Sequence, residues 1–265
     1  MKYTIRHETR CHFDSPARYS IRQLRITPRE EAGLRIASWS VGTPVRSTCS
    51  IDAWGNTTHL LTLTEPHENV RILVTGVVDV PEDTTALIGR DNSKLAPQIY
   101  LASTHLTRAD AALSQFARTH LGRTPQRTDA VLTLLEALRE QLRSDPSGGQ
   151  PLRGAVASFA RGSATLPDHI HILIAACRAA GLPARFISGY QLGDALNKRV
   201  SEYAWADVWL EAEGGWVSFD ARRTQLASGR QIRLAVGRDY LDACPMRTAH
   251  QGGGHEEVRV SVQAA

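Results

Sequence analysis

One stretch of this sequence concentrates groups able to move protons or attack carbon: Ser163, Thr165, Asp168, His169, His171 and, further on, Cys177. An acyl-transfer site needs a nucleophile, a base within hydrogen-bond reach of it, and a third group that orients the base. Ser163 or Thr165 with His171 is one such pairing. A hydroxyl in that role needs its base within about 3 Å, and His171 lies over a turn beyond the start of the helix these residues predict. Cys177 falls inside an apolar helical run, where a thiol packs as a small hydrophobe. Cys244 sits in the loop-like stretch Leu241-Asp242-Ala243-Cys244-Pro245-Met246 and reads as an ordinary thiol. A peptidase, amidase or acyltransferase with a relocated nucleophile (Ser163, Thr165 or Cys244) stays open as the alternative reading.

Metal and cofactor chemistry find no matching pattern, and neither is expected. His169 and His171, at i and i+2 of a helix, face different sides. His250 and His255 flank a glycine run without a third ligand. The four cysteines, Cys11, Cys49, Cys177 and Cys244, form no C-x-x-C pair. Reduced thiols of this kind fit a cytoplasmic protein. The net charge of +4 comes from scattered arginines, which argues against a nucleic-acid face. No apolar run reaches the roughly 18–20 residues of a bilayer span, and the start lacks the apolar segment of a secretory signal. The expectation is a cytoplasmic protein that makes no membrane contact.

The elements that must hold these groups follow from periodicity. Residues 167–180 predict a helix. Thr165 with Asp168 three residues later is a capping-box-like start. Pro167 is tolerated in the first turn, and Gly181 and Pro183 stop the helix. Strands are predicted at 184–190, at 203–210 with strict alternation, and at 215–220. Upstream, Leu113, Phe116 and Ala117 share one helix face. Thr128 is predicted to cap a second helix carrying Val131, Leu134, Leu135, Leu138 and Leu142 at helical spacing. Residues 1–80 read as short strands (3–9, 21–29, 70–80) around a turn at 52–58, a small antiparallel β-sandwich-like domain. Residues 81–105 read as a connector broken by Pro81, Asp83, Gly89, Asn92 and Pro97. Residues 106–265 hold a helical segment and an α+β core that ends in a strand at 256–262.

The motifs of this core resemble those of the bacterial transglutaminase-like proteins, a branch of the papain-like cysteine enzymes. The run from Leu166 through Asp168 and His171 to Ala175-Ala176-Cys177-Arg178 is similar to the family's Cys-Gln-Asp-Phe-Ala-His helix. Gly181-Leu182-Pro183-Ala184-Arg185-Phe186-Ile187-Ser188-Gly189-Tyr190 is close to its Gly-Ile-Pro-Ala-Arg-Tyr-Val-Ser-Gly-Tyr. Glu202-Tyr203-Ala204-Trp205-Ala206-Asp207-Val208-Trp209 resembles Ser-His-Ala-Trp-Ala-Glu-Val-Trp, and Gly215-Trp216-Val217-Ser218-Phe219-Asp220 resembles its Gly-Trp-hydrophobic-x-Phe-Asp. A later Gly237-Arg238-Asp239-Tyr240 matches as well. The resemblance implies a papain-like transglutaminase core preceded by a β domain.

It also implies a catalytic triad at positions where this chain departs from the family. The nucleophile position is Leu166, the following glutamine is Pro167, and the base position is Tyr203. Only the orienting acid, Asp220, remains, with no imidazole to orient. The expectation is therefore a pseudoenzyme with no catalytic residues. Its old cleft, lined by Asp168, His171, Tyr203, Trp205 and Asp220, would bind a peptide or protein partner. Relatives of this branch are often encoded beside ATP-grasp ligase-like and helical partner proteins. The resemblance thus implies a non-catalytic subunit of a peptide-modifying system.

Overall fold

The computed structural model describes all residues except 32, 82–86, 90–94, 123–126, 147–151, 194–198, 228–229 and 265. Its spine is β1 (Lys2–Leu24), in which Tyr3, Ile5, His7, Thr9, Cys11 and Phe13 alternate inward. A period of two puts all of them on one face. Two short strands were predicted here; the structure has one of 23 residues. Register shifts near Ala17 bend the strand without ending it. With β2 (Arg35–Gly42), β3 (Thr48–Ile51), β4 (Thr57–Leu63) and β5 (His67–Asp79) it forms the path β2-β5-β1-β4-β3. This single antiparallel sheet curls, and Leu24, Ile26, Leu61, Leu63, Val70, Ile72 and Val74 pack together on it.

The predicted connector contributes a strand. β6 (Leu87–Gly89) pairs with the second sheet, whereas the breakers Asp83 and Asn92 lie outside the described residues. The helices are α1 (Ala111–Leu121), α2 (Thr128–Gln141), α3 (Ala155–Arg161) and α4 (Leu166–Ala179). Asp110 caps α1 by accepting the Leu113 N–H at 2.8 Å. Thr128 does not cap α2. Arg127 holds the cap position without a side-chain bond, and the Thr128 hydroxyl donates instead to Glu213 at 2.8 Å. The helix α3 has seven residues, too few to show a period in the sequence. β7 (Arg143–Ser144) and β8 (Ser163–Ala164) form a short parallel pair. α4 is buried from Asp168 to Arg178, as its all-round apolar composition requires.

The second sheet comprises β9 (Ala184–Leu192), β10 (Val200–Leu210), β11 (Gly215–Asp220), β12 (Gln225–Leu226) and β13 (Gln231–Gly237), in the order β12-β11-β10-β9-β13. Alternation along β10 decides its faces. Ala204, Ala206, Val208 and Leu210 pack with α4 and the other helices. Tyr203, Trp205 and Trp209 join Ile187, Trp216 and Val236 on the opposite side. Gly189 is required by close approach: a Cβ there would meet the Ile232 carbonyl and the Trp205 ring.

After α5 (Tyr240–Ala243), the strands β14 (Met246–Gly252) and β15 (Glu256–Ala264) return to β1 and pair with it antiparallel. The predicted final strand exists, but it belongs in space with the first sheet and not with residues 106–243. β1 is long enough to carry two successive partners along each side. Val262 and Ala264 then pack with Tyr3, Ile5, Tyr190 and Leu192, joining the two sheets.

Candidate active-site corner and the adjoining cavity

The start of α4 is held by a closed set of bonds. The Thr165 hydroxyl accepts the Asp168 N–H at 3.4 Å and donates to Asp168 Oδ2 at 2.9 Å. Asp168 Oδ1 accepts the Gly154 N–H at 3.2 Å, tying α4 to the start of α3. Burial pushes the Asp168 carboxyl up, but His171, Thr165 and Gly154 outweigh it and leave its pKa below the usual range. His171 is fully buried; its Nε2 accepts the Tyr240 N–H at 3.1 Å and its Nδ1 lies 3.8 Å from Asp168 Oδ1. That arrangement puts the proton on Nδ1, and burial lowers the imidazole pKa.

The relocated nucleophiles are likewise engaged elsewhere. Ser163 accepts from Arg161 Nε at 3.1 Å. Cys244 is not on an open loop: it ends α5, is buried, and burial pushes its thiol up to about 11. Burial pushes Cys177 up to about 12. A nucleophilic thiol needs the opposite environment.

Leu166, Tyr203 and Asp220, the three positions singled out by the resemblance, lie near one another: the first two wall one cavity and the last two are hydrogen-bonded. Leu166 is the first residue of α4 and packs against the helical core. From β10, the Tyr203 hydroxyl donates to Asp220 at the end of β11, 3.0 Å from each carboxylate oxygen. Asp220 therefore does have a group to orient, and it is a phenol. Arg223 completes the corner. Its N–H donates to Asp220 Oδ1 at 3.0 Å, and its guanidinium lies 4.9 Å from the Tyr203 ring centre. Burial first, and then the Asp220 charge, hold the phenol pKa well above its usual value. The corner presents a hydrogen-bond donor where a base would have to accept a proton.

A cavity of about 380 Å³ opens beside this corner, walled in part by Leu166, Pro167 and Tyr203. Of the residues expected to line the cleft, Tyr203 does so. Asp168, His171, Trp205 and Asp220 are buried behind the wall. Trp205 packs in the aromatic layer, with the Arg233 guanidinium 5.5 Å from its ring. Other walls of the cavity come from elements that local sequence reading did not connect with it: His7, Thr9 and Leu24 of β1, and Val258 and Val260 of β15. His7 Nδ1 lies 2.6 Å from the Tyr190 hydroxyl and its Nε2 3.0 Å from Thr9 Oγ1. Burial lowers its pKa to about 4. One signal was available: two polar residues occupy inward positions of an alternating strand.

A core helix whose N-terminus meets a three-strand antiparallel corner, preceded by a curled β domain, defines a transglutaminase-like protein. Residues 3–79 match the family model of the bacterial transglutaminase-like N-terminal region, and residues 114–221 match that of the transglutaminase-like superfamily. The chain belongs to this superfamily. It is 26% identical to an uncharacterized protein of Mycobacterium leprae, over 97% of this chain and 96% of that one. It is also 26% identical to an uncharacterized protein of Mycobacterium tuberculosis, over 93% and 86%. A crystal structure from Cytophaga hutchinsonii that carries a cysteine protease name shares the fold. Its TM-score is 0.76 at 19% identity, with 100% of this chain and 90% of that chain covered. No helix among the described residues is long and apolar enough to cross a membrane.

Proposed function

We propose that this chain is a transglutaminase-like protein that binds a peptide or protein partner in its cleft without acyl transfer. It would serve as a non-catalytic subunit of a cytoplasmic peptide-modifying system. The observation that carries this reading is the corner itself: an aliphatic side chain opens α4, and a protonated phenol occupies Asp220. Covalent acyl transfer needs a nucleophile and a proton acceptor beside it. Leu166 supplies no lone pair, and Tyr203 keeps its proton and donates a hydrogen bond to Asp220. Partners of the ATP-grasp ligase-like and helical kinds are those the family's gene neighbourhoods suggest. The cytoplasm is the compartment in which four unpaired cysteines fit best.

The test uses purified full-length protein with peptide anilides and with casein plus a labelled amine. No turnover above buffer is expected. Turnover that disappears in Ser163→Ala, Thr165→Val or Cys244→Ala would establish a relocated nucleophile and end this proposal. A second arm restores the family's pair with Leu166→Cys and Tyr203→His. The new thiol, at a helix N-terminus beside an imidazole, is expected to be alkylated about tenfold faster than Cys49. Equal rates would show that position 166 does not face the base position.

A further inference from the structure

Among the described residues, the cavity carries the Glu202 carboxyl on its wall and has a strand with one unpaired edge at its side. Glu202 follows the buried start of β10. Its carboxyl is 39% exposed at the cavity mouth, and its nearest partner among the described residues is His7 Nε2 at 4.0 Å. His7 is held neutral by burial between Tyr190 and Thr9, so it offers no countercharge. The wall around Glu202 nonetheless desolvates it and raises its pKa. A carboxylate in that position is stabilised by an incoming cation.

The strand is β15. Among the described residues it pairs with β1 alone, so its other edge has no strand partner there, although β10 packs against part of it. Its second half is anchored through Val262 and Ala264. In its first half, Val258 and Val260 are 43% and 42% exposed while lining the cavity. Residues of adjacent strands that stand side by side point to the same face of a sheet. A strand added along β15 therefore turns every second side chain toward the cavity, beside Val258 and Val260. The floor that such a side chain meets is apolar: Leu24, Ile26, Ile72 and Leu166. The volume exceeds that of one aliphatic side chain and leaves room for parts of its neighbours.

We infer that the cavity is the anchor pocket of an extended peptide that pairs with the edge of β15, takes one aliphatic side chain inside, and places a cationic residue two positions away against Glu202. This rests on the peptide-binding reading above and adds the peptide's chemistry. The position that holds a nucleophile in the family is here part of the pocket wall. Its leucine would select an apolar group.

The probes are three N-acetylated, C-amidated pentapeptides, Thr-Leu-Thr-Lys-Thr, Thr-Asp-Thr-Lys-Thr and Thr-Leu-Thr-Glu-Thr, titrated into the labelled full chain and followed by NMR. The Leu/Lys peptide is expected to bind with shifts at Glu202, Val258 and Val260. The Asp peptide should bind at least about tenfold more weakly, having lost a buried aliphatic group. The Leu/Glu peptide should bind roughly fivefold more weakly. Glu202→Gln should bring the Lys and Glu peptides within about twofold of each other while the leucine preference persists. Equal binding of all three, or shifts confined to other surfaces, overturns the pocket and leaves peptide recognition standing. Binding by none of them overturns both.

Discussion

Asp207 and Asp220 sit one strand apart on the same face of the same sheet, and they solve burial in opposite ways. Asp207, on β10, is fully buried and meets two guanidiniums. Arg185 Nε approaches at 3.0 Å, and Arg233 Nη1 and Nη2 approach at 2.6 and 2.7 Å. The Ser218 hydroxyl adds a donor at 2.7 Å. Burial alone would raise this carboxyl's pKa. Arg233 and Arg185 reverse the sign and hold it below the usual range. Asp220, on β11, instead takes a neutral phenol, a backbone N–H and one half-exposed arginine 3.4 Å away. The first site is a charge cluster that fixes β9, β10 and β13 to one another. The second ties a phenol of β10 to a carboxylate at the end of β11. Two carboxylates with equal burial thus differ in what depends on them. One compensates buried charge, and the other places a side chain on a cavity wall.

The contrast predicts a hierarchy of stability losses. Asp207→Asn removes the carboxylate that faces the buried Arg233 guanidinium and is expected to cost about 3–5 kcal/mol. Urea denaturation followed by circular dichroism measures it. A loss under about 1 kcal/mol would mean that the cluster is solvated and the comparison is empty.

His7 extends the comparison to a buried group whose carboxylate neighbour, Glu202, is 4.0 Å away. Its folded pKa is about 4, below the 6.5 of an exposed histidine. Between those values the unfolded chain binds the proton and the folded chain does not, so stability rises with pH across that window. Its contribution is complete above pH 6.5 and declines as pH falls toward 4. The full window is worth about 3 kcal/mol. His7→Gln should flatten the slope of stability against pH between these limits, whatever it does to stability at pH 7. A slope that is unchanged would place the titration elsewhere.

The sequence made the corner legible and the cavity illegible, for a physical reason. α4 and β9 to β11 carry their signals locally. Thr165 caps through Asp168, Gly181 follows the helix end, and β10 alternates small aliphatic and aromatic residues on opposite faces. The substitutions at 166 and 203 could be read because the motifs around them stayed intact. The cavity, by contrast, depends on pairing between β1 and β15, whose partners are separated by nearly the whole chain, as in Ile5 with Ala264. No local period encodes that register. The same is true of the contact between His7 and Tyr190, which needs both sheets in place. The pocket residues expected from the motif were drawn from α4 and one sheet. The wall is shared by two sheets, so Asp168, His171, Trp205 and Asp220 fell behind it.

The smallest predicted effect measures what the Tyr203–Asp220 contact contributes. Tyr203→Phe keeps the ring under Arg223 and removes the hydroxyl. Asp220 keeps the Arg223 N–H at 3.0 Å and the nearby guanidinium, so it is not stranded. The loss is expected to be about 1 kcal/mol, that of one net hydrogen bond. In Asp220→Asn the phenol can still donate to the amide oxygen, so the two changes together should cost less than their sum. The same comparison across Asp207 and Arg233 should show a larger coupling, because there two buried, opposite charges meet directly. If the Tyr203–Asp220 coupling proved the stronger of the two, the phenol would be acting as more than a neutral donor. Proton sharing between it and the carboxylate would then have to be considered in place of simple packing.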